Sequence, residues 1–307
     1  MKRECRIMNK NVKGLTATIV FQANSANYGE SLGNVTSLKK LTRFGGYQYT
    51  YISRQAIRYN IVNELNEPLA TLDTNGFGKN KVIQFAKDVT IEDSPEIDFF
   101  GYMKTEKGNN AAVRSAKVRL SNAISQEPFE GDTDFLTNMG LATRIRKSTG
   151  DSDIHNSIAQ SEIQESFYVY TITIDLDQIG IDQQDDINLS DSEKSRRVQK
   201  LLDTIQYLYR DIRGRREDLK PLFIIGGVYD IKNPLFENTV TVKNNQISVG
   251  ALKSILADDR IATQTSVGIV DGIFTNTDLV KEQLQAKSVP TFFKDLKAKV
   301  VEYYEGN

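Results

Sequence analysis

Between Phe167 and Leu176, large side chains fall at every second position, with Tyr168, Tyr170, Ile172, Ile174 and Leu176 on one face. That period of two marks a strand with a buried face, and it is the clearest strand in the chain. Leu15 to Phe21 alternates in the same way, with Leu15, Ala17, Ile19 and Phe21 on one face and Thr16, Thr18 and Val20 on the other. A third alternating stretch, Tyr47 to Ile52, runs into Ser53, a natural N-cap, and predicts a helix through about Asn63. Pro68, Asn75-Gly76 and Gly78 make Leu65 to Val89 loop and short hairpin. Val113 to Ile124 reads as one strand, and Ser125 to Ser166 is polar and uneven. The strongest helix spans Asp191 to Arg213, where Val198, Leu201, Leu202, Ile205, Leu208, Tyr209 and Ile212 keep helical spacing behind a Ser190/Glu193 capping box. Leu222 to Tyr229 and Asn238 to Val249 read as strands, and Asp278 to Ala286 and Thr291 to Tyr304 as helices. No internal repeat or low-complexity tract interrupts this order. Strand, helix, strands, helix, strand predicts an α+β fold, a sheet backed by helices, with the polar insert protruding.

Composition narrows the chemistry. Of 307 residues, 39% are hydrophobic, enough for a substantial core. The chain has one cysteine, Cys5, and one histidine, His155, so an internal disulfide or a Cys/His metal cluster is excluded, and a reducing cytoplasm is expected. His155 lies in a polar, Gly- and Ser-containing stretch, a poor setting for the rigidly held base of a Ser-His-Asp triad. No apolar run approaches the roughly 20 residues a membrane span needs. The opening Met1-Lys2-Arg3-Glu4-Cys5-Arg6 is followed by no hydrophobic segment, so no secretory signal is expected.

Lys plus Arg (39) almost equals Asp plus Glu (40), a balance that taken alone argues against a nucleic-acid binder. The distribution reverses that inference. Ser31 to Asn63 contains no acidic residue but holds Lys39, Lys40, Arg43, Arg54 and Arg58. Lys107 to Gln126 is also acid-free and holds Lys107, Arg114, Lys117 and Arg119, while Arg144, Arg146 and Lys147 form a third cluster. Lys117 and Arg119, two apart on the expected strand, share a face. Segregation of this kind gives a nearly neutral chain local basic surfaces on which phosphates release counterions. Ser53 opens a helix whose first N–H groups could take a phosphate. Arg54 and Arg58 stand one turn apart, beside the apolar stripe Ile57, Ile61 and Leu65, and so emerge at the edge of the core. Tyr47, Tyr49 and Tyr51 share a strand face, where they could stack on bases or lie half-buried in the sheet.

Asn27-Tyr28-Gly29-Glu30, Leu38-Lys39-Lys40 and Tyr49-Thr50-Tyr51-Ile52-Ser53-Arg54-Gln55-Ala56-Ile57-Arg58 resemble the N-terminal signature of the Cas-seven superfamily of CRISPR-associated proteins, in particular its DevR-like branch of type I-B Cascade. Asp98-Phe99-Phe100-Gly101-Tyr102-Met103, the basic strand Arg114 to Ile124, Asp132-Thr133-Asp134-Phe135 and Ile174-Asp175-Leu176-Asp177 follow in the family's order. The resemblance implies a modified RNA-recognition-motif (ferredoxin-like) palm made of residues 1–63 and 167–307, with strand 114–124 along it. Fingers would occupy 64–113 and a thumb 125–166. It further implies a non-catalytic guide-RNA-binding backbone subunit that polymerises head to tail along the crRNA spacer and presents it to target DNA. Its expected partners are crRNA, target DNA, copies of itself and other Cascade subunits, with no membrane, in the cytoplasm and without a cofactor. Lys39, Lys40, Arg43, Arg54, Arg58, Arg114, Lys117 and Arg119 suit phosphates. Asn27, Ser53 and Gln55 suit riboses or backbone oxygens, and Tyr28 and Tyr49 fall in the same signature. Phe135 and Leu136 stand where the family places wedging side chains. Two alternatives remain. One is a nuclease of the type III kind, for which Glu92, Asp93, Glu96 and Asp98 could offer oxygen ligands to Mg²⁺. The other is a stand-alone RNA-binding protein.

Overall fold

The computed structural model describes residues 12–33, 35–43, 45–75, 81–105 and 111–306. Lys107 and the opening residues with Cys5, like Gly76 and Gly78 of the expected turns, lie outside them. Strand β1 (Gly14–Ala23) is buried on both faces, Thr16 and Thr18 included. The hairpin β2 (Tyr28–Leu32) and β3 (Val35–Leu38) follows, then the hairpin β4 (Lys40–Thr42) and β5 (Gln48–Ile52), which leads into helix α1 (Arg54–Leu65). Ser53 is the N-cap, its Oγ accepting from the Ala56 N–H, and Ile57, Ile61 and Leu65 bury the inner face. The hairpin β6 (Leu72–Asn75) and β7 (Val82–Phe85), helix α2 (Pro95–Phe100) and the hairpin β8 (Tyr102–Lys104) and β9 (Ala112–Arg114) come next. Ala70, Ala86, Val89, Ile91, Ile97 and Tyr102 give this region a small core of its own.

The stretch expected as one strand from Val113 to Ile124 is broken into β9, β10 (Val118–Leu120) and β11 (Ala123–Ser125). After Arg114 the backbone leaves the ladder, and the Lys117 N–H donates to the Phe99 carbonyl. Between β10 and β11 a bulge sets four steps on this chain (Leu120 to Ile124) against three on its partner (Ile172 to Val169). The polar insert folds as β12 (Asp132–Thr137), helix α3 (Met139–Thr149) and β13 (Ile158–Ile163), and β13 pairs in parallel with β3.

Strand β14 (Ser166–Asp175) lies antiparallel to β1 in unbroken register, with Phe21 opposite Tyr168 and Leu15 opposite Ile174. The small hairpin β15 (Ile181–Asp182) and β16 (Ile187–Asn188) precedes helix α4 (Asp191–Gln206). Ser190 caps α4 by accepting from the Glu193 N–H, but the helix stops well short of Arg213. Tyr209–Ile212 instead forms strand β17, paired with β18 (Arg215–Asp218). The apolar spacing ran on because Leu208 is buried like the helix residues before it, while its carbonyl accepts from the Leu219 N–H. Then come β19 (Phe223–Tyr229), the short hairpin β20 (Val242–Lys243) and β21 (Gln246–Ile247), which replaces the strand expected over Asn238 to Val249, and helices α5 (Val249–Ile255) and α6 (Asp259–Ala262). Strand β22 (Thr265–Ile269), helix α7 (Thr277–Leu284), β23 (Lys287–Ser288) and helix α8 (Val289–Glu305) complete the described chain.

The main sheet has the order β23-β22-β19-β1-β14-β11-β5-β4, with β10 also on β14. One face is covered by α1, α4 and α8, which bury the Leu15, Ala17, Ile19, Phe21 row of β1 and the Tyr168 to Ile174 row of β14. The other face is covered near β19 by the segment from β20 to α7, so Val20, Val169 and Ile225 are also buried. Where Ala17 faces Gly226, a Cβ on the glycine would run into the Thr16 carbonyl, so β19 can approach β1 only with glycine there.

A buried carboxylate fastens α2 and β9 to α4 and this sheet. Asp98 of α2 accepts from Arg114 of β9 at 2.7 Å, from Arg197 of α4 at 3.1 Å and from the Gly180 N–H at 2.9 Å. Burial raises its pKa, opposed by the Gly180 N–H and the two guanidiniums. Removing one partner of such a group leaves uncompensated charge behind. Asp98→Ala is expected to lose about 3–5 kcal/mol of stability, read as a shift in the guanidinium chloride midpoint at unchanged slope.

Candidate nucleic-acid interface

At the N-terminus of α1, three of the first four N–H groups, those of Ser53, Arg54 and Ala56, are met from within the chain. The Ser53 N–H donates to Asn27 Oδ1 at 2.8 Å, the Arg54 N–H to Asn122 Oδ1 at 2.9 Å, and the Ala56 N–H to Ser53 Oγ at 3.3 Å. Asn122 reaches Arg54 because the bulge between β10 and β11 turns it toward the helix. Asn27 and Ser53, expected as ribose or backbone contacts, therefore spend their side chains on the cap.

The side chains beyond the cap face a cleft of about 330 Å³ between α1 and β10. Arg54, Gln55, Arg58 and Arg119 line it, over a floor of Phe100, Ala116, Val118 and Leu120. Three arginines from two distant acid-free stretches meet here, and no carboxylate is among the lining residues. Arg54 and Gln55 are exposed. Arg58 is half-buried with its guanidinium 4.8 Å from the Phe100 ring centre, and burial lowers its pKa while Glu96 opposes the shift. Arg119 is held by Asp175 at 2.8 Å. Lys117 lies beside the cleft, donating to Ser115 Oγ at 3.3 Å, and burial followed by the charge of Arg114 lowers its pKa. Arg114 does not belong to this surface. It is buried against Asp98 and the Ile181 and Gln178 carbonyls, so its charge is spent in the interior.

The β4–β5 hairpin carries Lys40, Arg43 and Tyr49, and Lys39 and Tyr28 lie before it in the chain. Thr50 points inward and bonds Gln164 and Tyr168, which turns Tyr49 and Tyr51 to the outer face, half-buried, next to the exposed Tyr47. Arg43 lies 5.0 Å over the Tyr49 ring, and Lys39 is exposed. Lys40 is paired with Glu162 at 2.5 Å and sits 4.2 Å over the Phe129 ring, so its charge is already partly met. Arg43 also borders a second hollow of about 220 Å³ that runs over β11 to Asn238 and Thr241, residues with no sequence signal. Tyr28 is half-buried, with Arg213 3.9 Å over its ring.

On the β12–α3–β13 unit, Phe135 and Leu136 are 54% and 41% exposed, unusual for side chains of that size. Met139, Leu141, Ile145 and Ile158 are exposed beside them in sequence. Leu141 and Ile145, four apart on α3, were the signal for this larger apolar surface. His155 is exposed in the same unit. As for the acidic run, Asp98 is enclosed by its arginines and Asp93 accepts from the Thr90 N–H, which lowers its pKa. Among the described residues, no three His, Cys, Asp or Glu side chains are grouped to hold a metal ion.

A family model described as "CRISPR-associated negative auto-regulator DevR/Csa2" matches residues 15–249. A "CRISPR-associated protein Cas7/Cst2/DevR" of Myxococcus xanthus (strain DK1622) is 27% identical over 164 residues, 48% of this chain and 52% of the relative. The chain thus spans about half the length of that curated relative. A chain of a "CRISPR RNA-guided surveillance complex, pre-nicking" superposes with a TM-score of 0.59 at 10% identity, covering 94% of this chain and 100% of its own. A chain of a "CRISPR RNA-guided surveillance complex" gives 0.58 at 12% identity, covering 93% and 99%. These two show a shared fold, a mixed α/β architecture.

Loss of the Asn27 amide would strand the Ser53 N–H at the mouth of α1. Asn27→Ala is expected to cost about 1–3 kcal/mol in urea unfolding, whereas Gln55→Ala, on the exposed side of the same turn, should leave the midpoint within experimental error.

Proposed function

Because this chain belongs to the CRISPR-associated DevR/Csa2 family, we propose that it is the non-catalytic backbone subunit of a type I-B Cascade complex, binding guide RNA. Copies of it would stack head to tail along the crRNA spacer, present the guide for pairing with target DNA, and contact other Cascade subunits in the cytoplasm. The observation that carries the reading is the carboxylate-free cleft on which Arg54, Arg58 and Arg119 converge. A subunit that serves any guide must hold backbone phosphates and leave sequence to base pairing. Arginines around an apolar floor do that, with tyrosines on the neighbouring hairpin as stacking platforms.

Topology supports the domain reading of a palm from residues 1–63 and 167–307 with strand 114–124. The order β19-β1-β14-β11, antiparallel throughout, with α1 between β1 and β11 in sequence and α4 between β14 and β19, suits an RNA-recognition motif. The separate small core of residues 70–102 suits fingers at 64–113, and the projecting β12–α3–β13 unit suits a thumb at 125–166. Its exposed Phe135 and Leu136 would wedge between nucleotides. No described helix is long and apolar enough to cross a membrane.

Combined Arg54→Gln, Arg58→Gln and Arg119→Gln keeps polar side chains at these positions and removes three charges. Fluorescence anisotropy with single-stranded guide RNA should show weaker binding and a salt slope lower by roughly 2, at about 0.7 per phosphate contact. Unchanged affinity and slope in a folded variant would place the RNA elsewhere. Phe135→Ala with Leu136→Ala should spare the affinity of a single copy and loosen the regular array seen by electron microscopy on long RNA.

A further inference from the structure

The two-residue loop joining β17 to β18 is Arg213-Gly214, and both residues have positive φ, 48° and 77°. This is the mirror-image turn that suits a hairpin, and its first position favours asparagine or aspartate. Of the six non-glycine residues with positive φ among the described residues, four are Asn or Asp. A long cationic side chain there is conformationally uphill, so something other than the turn accounts for it.

The hairpin is held firmly. Glu217 is buried and accepts from the Asn24 N–H at 2.8 Å and the Ser25 N–H at 3.0 Å. Arg210 pairs with the same carboxylate at 2.6 Å, and Arg215 donates to Ser25 Oγ. Arg216 pairs with Asp211 at 2.9 Å. Arg213 alone of these four arginines has no carboxylate partner among the described residues. It is exposed, and its guanidinium lies 3.9 Å over the ring of Tyr28. Tyr28 follows Asn27, whose backbone bonds the Tyr51 carbonyl and the Lys39 N–H and whose side chain caps α1.

We propose that Tyr28 and Arg213 form a second nucleotide-binding element, a two-layer stack whose outer guanidinium face takes a base and whose N–H edges take a phosphate of single-stranded RNA. The anchorage through Glu217 fixes the hairpin that carries Arg213, and the Tyr28 ring supports one face of the guanidinium and leaves the other face outward. This rests on the RNA-binding reading above and extends it to a part of the surface that lies outside the acid-free stretches.

The decisive variant is Arg213→Asn in the full chain, because asparagine suits the turn while removing both charge and plane. It should melt no lower than the parent, bind a short single-stranded RNA about tenfold more weakly, and lose about 0.7 from the salt slope. Arg213→Lys should restore the slope but only part of the affinity. RNA affinity and slope equal to the parent's would overturn the proposal and leave the RNA-binding reading standing. So would a variant that loosens only contacts between copies, which would assign Arg213 to an acidic surface of a second copy. A parent chain that binds no RNA would take down both.

Discussion

The buried carboxylate of Asp98 fixes the relation between α2, β9 and the main sheet. It joins α2, β9, α4 and the turn after β14 through two guanidiniums and one backbone N–H, all out of water. Buried charge is costly unless fully met. The chain can therefore close this region in one way, with α2 against β10 and α4. That closure puts Phe100, at the end of α2, beneath Arg58 and makes it the floor of the arginine cleft. The same closure withdraws Arg114 from the surface. Its Nε stays buried without a partner, the residual cost of an otherwise satisfied centre.

The parts of the fold legible in the sequence were those where a single period governs burial. β1 and β14 alternate cleanly because one row of each packs against α1, α4 and α8. Ser53 and Ser190 announced their helices because a cap is a local interaction. Tertiary demands hid the rest. The 113–124 strand was overridden by the Lys117 bond to Phe99 and by a bulge whose purpose, turning Asn122 to the α1 cap, is a contact 68 residues away. The run from Leu208 to Ile212 kept helical spacing although it is a hairpin arm. There Arg213-Gly214 carried a turn signal that the continuing apolar pattern outweighed.

Site legibility divides along a similar line. Acid-free stretches located Arg54, Arg58 and Arg119, and the fold brings them to one cleft. Absence of local acids cannot reveal partners that arrive from elsewhere in the chain. Asp98 claims Arg114 from outside its window, and Glu162 claims Lys40 across more than a hundred residues. Asn27 and Ser53 read as ligand-facing because they sit within the signature, yet their side chains complete the helix end. Conversely, Arg213 lies in a stretch with Asp211, Glu217 and Asp218, so counting charges along the chain concealed it.

A largely capped helix N-terminus changes what kind of recognition this surface can perform. Free N–H groups at a helix start fix an anion at one point with defined geometry. Here three of those groups are occupied by Asn27, Asn122 and Ser53, so most of the anion-binding capacity passes to the arginine side chains around a hydrophobic floor. Such a surface tolerates shifts of a phosphate by an ångström or more and discriminates little among sequences. Its attraction falls with salt, because counterion release is its main driving force. On the proposed function, in which copies repeat along one RNA, tolerance of that kind would be an advantage, since each copy would meet different bases and a slightly different backbone. Geometric precision is then supplied by the rigid elements around the cleft, the Asp98 centre on one side and the Glu217 anchorage of the β17–β18 hairpin on another.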